Sequence, residues 1–425
     1  QEIPVLTESL GVDLILLAIP SASARDMQRL VALCEQSGKP FRTVPPLQSL
    51  MTGQVDIHQL RAVAIEDLLG RDPVTLDWDG IRAGLAGRVI LVTGAGGSIG
   101  SELCRQIAVA APGRLILVDN GEFNLYRIEM ELGQAHPSLD YSRCLLDVTD
   151  ADAVTALFRD ERPQIVFHAA AYKHVPLLED QVRAAVRNNV LGTRLVAQAA
   201  HDWGCERFVL ISTDKAVNPS NVMGATKRLA EGLCRDLNAR STTRYITVRF
   251  GNVLDSAGSV VPLFRHQIEQ GGPVTVTHPD IERFFMTIPE ASQLIMQAAV
   301  IGTGGETFVL DMGEPVKIRY LAEQMIRLSG RRAGSDTPIA YVGLRPGEKL
   351  YEELFYDAEE LVATVHPKIR AARCTRPGTQ RGLSADLDTL AEAVLRGREA
   401  ELRNLLQRLV PEWGQAQLTG DAPHA

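Results

Sequence analysis

No apolar run in this 425-residue chain approaches the ~18 residues needed to cross a bilayer; the best, Val12 to Ile19, is short and contains Asp13. Nothing in it is expected to span a membrane. No CxxC or other metal spacing joins the six cysteines, Cys34, Cys104, Cys144, Cys205, Cys234 and Cys374. That excludes a cysteine metal site and points to reduced, mostly buried thiols. No block of Lys and Arg offsets the net charge of −8, which excludes general nucleic-acid binding and leaves any anionic ligand to locally placed cations. An initiator Met is also lacking. The chain begins at Gln1 and soon enters a strand-like pattern, so a piece of a longer protein is expected. What is present, 45% hydrophobic and 23% charged residues, is ordinary for a globular protein of two or three domains.

Val12 to Ile19 reads as a buried strand, with Ser21 and Ser23 as cap candidates for an amphipathic helix through Met27, Leu30, Val31, Leu33 and Cys34. Gly38 would stop that helix, and Phe41 to Val44 looks like the next strand. Residues 1–46 therefore predict one βαβ unit, a fragment of a Rossmann-like domain without a glycine-rich loop. Residues 47–86, with Arg71-Asp-Pro73 as a break, read as a linker. From Gly87 strands and helices alternate. Strands are expected at Val89–Thr93, Leu115–Val118, Ser142–Leu145, Ile165–His168, Phe208–Ile211 and Ile246–Arg249, with helices from near Ser98, Asn124, Asp150, Gln181 and Asn221. This order predicts an α/β fold, a doubly wound parallel Rossmann-type sheet over residues 87–256. Residues 257–413 are expected to form a smaller substrate-binding lobe and a last helix from Leu387 to Leu409, and 414–425 a frayed tail.

A strand, a glycine-rich turn and a helix start follow one another from Val89 to Arg105. Gly94 permits the tight turn, Gly97 lets backbone N–H groups approach a pyrophosphate, and Gly100 lets the helix pack closely on the strand. The spacing is GxxGxxG, with Ser98 and Ile99 in the helix's first turn facing the phosphates. Asp119 stands nineteen residues after Gly100, where an acid can bind the adenosine ribose. Asn120 and Gly121 follow it in place of an Arg, which favours NAD over NADP. Asp147 and Val148 after the third strand, and Ala169, Ala170 and Ala171 after the fourth, would line the cofactor further along.

The densest cluster of reactive groups lies at the end of the fifth strand: Ser212, Thr213, Asp214 and Lys215. Met223 and Lys227 share one face of the following helix, four residues apart. Strand ends and the next helix's first turn converge where open α/β sheets bind ligands.

Thr93–Gly100 (TGxxGxxG), His168–Pro176 (HAAAYKHVP), Asn188–Thr193 (NNVLGT) and a Lys four residues after Met223 together resemble the extended short-chain dehydrogenase/reductases. More narrowly, STDKAVNPSNVMGATKR, RFGNVLDSAGSVVPLF, HPDIERFFMTIPEA and RPGEKLYEEL resemble the large CapD-like nucleotide-sugar 4,6-dehydratases of polysaccharide biosynthesis over residues 87–368. The superfamily's YxxxK tyrosine is here Met223, whose thioether exchanges no proton. The long dehydratases share that substitution.

The resemblance implies an NAD-dependent dehydration of UDP-N-acetylglucosamine with C5 configuration retained. A C5-inverting dehydratase, a UDP-sugar 4-epimerase and a non-catalytic dinucleotide sensor remain open. It further implies Lys215 as C5 base, Asp214 as acid at the C6 oxygen, Thr213 bonded to the C4 oxygen, and Lys227 on the nicotinamide ribose. Burial would shift Lys215 and Asp214 toward those roles, and their mutual pairing would oppose it. Arg345 and Glu348 resemble the nucleotide-contact motif, Arg283 offers a bidentate phosphate partner, and Asn252, Lys173 and His174 are expected near the sugar. No metal is expected. A homo-oligomer is, as is a membrane anchor in the full-length protein, with the catalytic part facing the cytoplasm.

Overall fold

The computed structural model describes residues 2–19, 24–43, 76–374 and 383–413. They divide into two compact units. The first comprises the described residues up to 43 together with 259–280 and 316–342, and the second holds the other described residues. Among the described residues no helix is long and apolar enough to cross a membrane.

In the first unit, strand Ile15–Leu17, helix Ala24–Gln36 and strand Phe41–Thr43 form the expected βαβ, with Ile15 opposite Phe41 in a parallel pair. Met27, Val31 and Cys34 recur at helical spacing and are buried, and Gly38 follows the helix at φ +67°. Helix Ile3–Ser9 precedes it and was not legible in the sequence. Ser21, Ser23 and residues 44–75 lie outside the described residues. The same unit holds helix Val260–Glu269, the parallel pair Val274–Val276 and Ile339–Tyr341, and helix Ile318–Leu328.

The second unit is built on nine strands: β1 (Val89–Thr93), β2 (Arg114–Asp119), β3 (Tyr141–Leu145), β4 (Ile165–His168), β5 (Arg207–Ile211), β6 (Arg244–Arg249), β7 (Thr307–Leu310), β8 (Glu359–Ala363) and β9 (Ile369–Cys374). Their order is 3-2-1-4-5-6-7-9-8. The first six follow the doubly wound order of dinucleotide-binding sheets, and β7 extends the parallel run with Thr307 opposite Thr247. β9 pairs antiparallel with β7 and β8 with β9, so the sheet ends in a hairpin.

Both faces are covered because successive side chains of each strand point to opposite sides. In β1, Ile90 and Val92 join the core beneath helices α1 (Ser98–Val109), α2 (Glu122–Ala135) and α6 (Ile288–Ile301), while Leu91 joins the other core. There α3 (Ala151–Glu161), α4 (Thr193–Asp202), α5 (Val222–Asn238), α7 (Leu383–Arg396) and α8 (Glu399–Leu409) pack. One helix had been expected over Leu387–Leu409; Gly397, at φ +68°, divides it into two.

Two expected boundaries are corrected. Residues 47–86 are not all linker: Asp77 caps helix Trp78–Leu85, whose Ile81 and Leu85 are fully buried in the α1/α6 core. Nor is 257–413 one lobe. The buried strand β7 and helix α6, with residues 343–413, belong to the sheet's own unit, leaving the smaller unit only 259–280 and 316–342 from that span.

Candidate active site

Functional groups gather in two places, at the carboxyl ends of β1 and β4 and at that of β5. At the first, β1 runs into the glycine turn. Gly94 sits at φ +67°, and a Cβ on Gly100 would lie 2.0 Å from the Gly94 carbonyl oxygen, so α1 packs on the turn at a distance only glycine allows. No side chain caps α1, whose N-cap is Gly97, and its first N–H groups are open to an anion. A cavity of about 200 Å³ adjoins it, lined in part by Gly94, Gly97, Asp119, Val148 and Ala169 to Ala171. The donor set fits a dinucleotide: an open helix N-terminus for phosphate, small residues for close approach and an acid for ribose. Gly100→Ala is expected to impose about 1–3 kcal/mol of overpacking strain and to weaken NAD binding about tenfold or more, read by calorimetric titration.

Asp119 also has a duty the sequence did not disclose. One oxygen accepts the Gly96 N–H at 2.9 Å and the other the Gly121 N–H at 2.8 Å, so the acid fixes the glycine turn as well as lining the cavity. Asp147 is exposed and accepts the Thr149 N–H at 2.9 Å, capping its own turn, while Val148 lines the cavity. Ser98 accepts the Ala257 N–H at 3.1 Å, and Ile99 is half-buried in the first turn of α1. Asn120, Asn124, Tyr172 and Asn188 line the cavity without having been singled out.

The alanine turn after β4 is held by polar side chains. Thr193 Oγ1 donates to the Asn189 carbonyl at 2.7 Å, so it accepts from His168 Nε2 at 3.0 Å; Nδ1 then accepts from Thr93 Oγ1 at 2.8 Å. Burial, helped by the nearby Lys227 charge, lowers the His168 pKa to about 3, which keeps the ring neutral as that tautomer requires. A π-helical turn, Val186–Gly192, brings in Asn189, whose amide bonds both the N–H and the carbonyl of Tyr172 and reaches Thr226. The adjacent amides Asn188 and Asn189 within an apolar helix were the only sequence signal for this anchor.

At the second place β5 ends and Thr213 caps a 3₁₀ turn, Asp214–Ala216. Asp214 Oδ1 accepts from Thr213 Oγ1 at 2.8 Å and from Lys215 Nζ at 3.0 Å. Lys215 Nζ also donates to Asn252 Oδ1 at 3.0 Å and lies 3.6 Å from Glu352 Oε1. Burial opposes the Lys215 ammonium, but Asp214 and Glu352 outweigh it and hold the group above the usual lysine pKa. Of the two opposed effects foreseen for Lys215, pairing therefore wins in the ligand-free chain. Asp214 is fully buried, and its Oδ2 has no partner among the described residues.

Helix α5 locks this turn. Asn221 caps it by accepting the Gly224 N–H at 2.7 Å, and a Cβ on Gly224 would lie 2.1 Å from the Lys215 carbonyl oxygen. Met223, buried in the apolar core, and Lys227 follow on one face. Lys227 Nζ makes no hydrogen bond or ion pair among the described residues, and burial lowers its pKa to about 8 against the pull of Glu231. A native pKa below the unfolded value means that the ammonium burdens the fold at neutral pH and is relieved as pH rises. Lys227→Met is expected to raise the ligand-free thermal midpoint at pH 7, an advantage that shrinks between pH 8 and pH 10.5, where the native lysine loses its proton first.

The residues expected to contact the nucleotide divide. Arg345 is exposed, with no ion pair among the described residues. Glu348 accepts the Arg345 N–H at 3.1 Å and steadies that turn. Arg283 is corrected: it is buried, donating to the carbonyls of Glu282 at 2.7 Å, Lys349 at 2.7 Å and Leu350 at 3.2 Å, so it braces the 348–352 segment and is not open to a phosphate. Asn252 orients Lys215. Lys173 and His174 are exposed, the ring lying 2.5 Å from where a Gly258 Cβ would stand. Among the described residues no cluster of His, Cys, Asp and Glu could hold a metal.

The family model described as "Polysaccharide biosynthesis protein" matches residues 90–374. The capsular polysaccharide biosynthesis protein CapD of Staphylococcus aureus is 45% identical over 397 residues, 93% of this chain and 65% of that protein. The probable polysaccharide biosynthesis protein EpsC of Bacillus subtilis (strain 168) is 46% identical over 402 residues, 94% and 67% respectively. The chain thus spans about two thirds of the length of these relatives. The fold is shared with a double mutant of the dTDP-glucose 4,6-dehydratase DesIV of Streptomyces venezuelae solved with NAD bound, at TM-score 0.56 and 22% identity over 62% of this chain and 87% of that one.

Proposed function

Because the chain belongs to the polysaccharide biosynthesis protein family, we propose that it dehydrates UDP-N-acetylglucosamine to a 4-keto-6-deoxy sugar nucleotide, with NAD in the cavity beside Gly94 and C5 configuration retained. The observation that carries this reading is the buried contact between Asp214 and Lys215 at the end of β5. Interconverting the C4 epimers requires a proton moved only at the C4 oxygen. An acid and a base side by side supply what an elimination across C5 and C6 requires in addition.

NAD, when bound, supplies a hydride acceptor at C4 and a hydride donor at C6. The chain's own groups move the protons. Thr213 donates to the C4 oxygen and sets its position beside Asp214, which takes the C4 hydroxyl proton. Neutral Lys215 removes the proton from C5, made acidic by the adjacent carbonyl. The C5–H electron pair forms the C5=C6 bond as the C6–O bond breaks, and Asp214 passes its proton to the departing oxygen. Lys215 then returns its proton to C5 from the side it took it, which retains configuration. Met223 contributes no proton. Lys227, which makes no hydrogen bond or ion pair among the described residues, holds the nicotinamide ribose, and Arg345 meets the diphosphate.

The whole protein, on this reading, is anchored at a bacterial inner membrane and feeds surface-polysaccharide synthesis from the cytoplasmic side. The test is incubation of the chain with UDP-N-acetylglucosamine. Loss of one water by mass spectrometry supports the proposal, and product NMR reads C5. An isomer of unchanged mass would favour the epimerase, and no product across several UDP-sugars would favour a dinucleotide sensor.

A further inference from the structure

Asp214 is not the only buried carboxylate beside Lys215. Glu352, whose side chain is 3% exposed, places Oε1 3.6 Å from Lys215 Nζ and 3.8 Å from Arg283 Nε, and its Oε2 has no hydrogen-bond partner among the described residues. The segment carrying it is fixed on both sides. Arg283 holds the carbonyls of Lys349 and Leu350, and Lys349 Nζ donates to the Val217 carbonyl at 3.1 Å.

The proposed dehydration has two protons to store and two carboxylates to store them on. Asp214 must be free to take the C4 hydroxyl proton and give it to the C6 oxygen. Lys215 must also lose a proton before it can accept one from C5, and Asp214 cannot hold both. We propose that Glu352 is the positioning residue that takes the proton from Lys215, converting the ammonium and carboxylate pair to an amine and a carboxylic acid within the site.

The transfer is balanced. The Nζ–H bond breaks, an O–H bond forms on Glu352, no charge leaves the cluster, and the proton returns to Nζ when substrate departs. The groups facing Glu352 are Lys215 and Asp214 from the catalytic turn, Arg283 from the strand segment beside it, and Lys349 from its own segment. Burial first, and then repulsion from Asp214, raise the Glu352 pKa against the pull of those three cations. A sugar seated over the turn excludes the remaining water, and desolvation favours the neutral pair over the charged one. Glu352 acts through Lys215 and touches no reacting atom.

The assignment rests on the dehydratase reading, so two measurements separate their failures. The first uses Glu352→Gln and Glu352→Asp in the full chain, following deuterium exchange at C5 of UDP-N-acetylglucosamine between pH 6 and pH 9. The wild type is expected to be flat across neutral pH, because the Lys215 proton stays inside the cluster. Glu352→Gln should exchange about 10²-fold more slowly at pH 7, the size of one lost proton-transfer partner, and should rise with pH because the proton must reach solvent. Glu352→Asp should restore part of the flat profile. A flat profile in Glu352→Gln, at any rate, overturns the assignment. The second measurement needs no turnover: calorimetric binding of UDP-N-acetylglucosamine in buffers of different ionisation enthalpy. Near-zero proton release by the wild type and close to one proton released by Glu352→Gln support the role. Equal release by both overturns it. A wild type that binds without losing water would remove the dehydratase reading and leave this second result standing alone.

Discussion

Lys215→Met is expected to lower C5 deuterium exchange and water loss by about 10²- to 10⁴-fold, the range for removal of a general base, while NAD binding stays near wild type. The side chain replaced is of similar length and only 16% exposed, so the fold loses little volume. What it loses is the cation between Asp214 and Glu352, two carboxylates otherwise left facing each other in a buried space. Some destabilisation follows at pH 7, and it should lessen as pH falls and one carboxylate takes a proton. Asp214→Asn should behave differently. It keeps the bond geometry at Oδ1 but cannot supply a proton to the leaving oxygen, so water loss should fall further than C5 exchange does. Undiminished exchange in Lys215→Met would remove Lys215 as the base.

Arg249→Ala should be the most damaging single change to the fold, costing about 3–5 kcal/mol because it leaves a buried charge without its partner. The guanidinium is fully buried. Nε and Nη2 donate to the two Glu231 oxygens at 2.8 and 2.7 Å, and Nη1 donates to Glu359 at 2.8 Å. Glu231 in turn accepts from Ser212 Oγ at 2.7 Å, so the network lies directly behind the Thr213–Ala216 turn. Burial would raise the Glu231 pKa, but Arg249 outweighs it and holds the carboxyl below its usual value. A depressed carboxyl contributes stability above its unfolded pKa and loses it as pH falls through the native one, so this contribution fades in acid. In Arg249→Ala the uncompensated Glu231 should titrate upward. Urea unfolding should show a larger deficit at pH 7 than at pH 5, and the double variant with Glu231→Gln should recover part of it.

The parallel sheet was legible because its strands are short apolar runs bounded by turn residues. All six expected strands, from Val89–Thr93 to Arg244–Arg249, are present within a residue or two at each end. Strand β7 was not legible as a member of this sheet, since a short apolar run such as Phe308 to Leu310 does not state its neighbours. Strands β8 and β9 were missed. Glu359-Glu360 and Arg370-Ala-Ala-Arg373 are poor strand sequences, held by the pairing of β9 with β7 and of β8 with β9 at the sheet's end. In the site, glycines and the Thr213 to Lys215 cluster could be read because each stands at a strand end. Glu352 could not, since in Tyr351-Glu352-Glu353-Leu354 nothing marks which acid turns inward; Glu353 pairs with Lys349 in solvent while Glu352 is buried. Arg283 was misjudged for a related reason: a guanidinium beside aromatics reads as a ligand, and only the fold shows three backbone carbonyls around it.

The segment from Gly347 to Tyr356 is stitched to residues 216–221, just after the Asp214–Lys215 pair, by contacts that cross more than a hundred residues. Gly347 accepts from Ser220 and Asn221, Lys349 donates to Val217, and Tyr356 donates to Ala216, across separations of 126 to 140 positions. Such contacts close long loops and form after local ones. During synthesis the dinucleotide turn and the Asp214–Lys215 pair leave the ribosome well before the residues that complete their surroundings. On the proposed function, nascent chains therefore expose the dinucleotide turn and the Asp214–Lys215 pair before the segment that completes their surroundings exists.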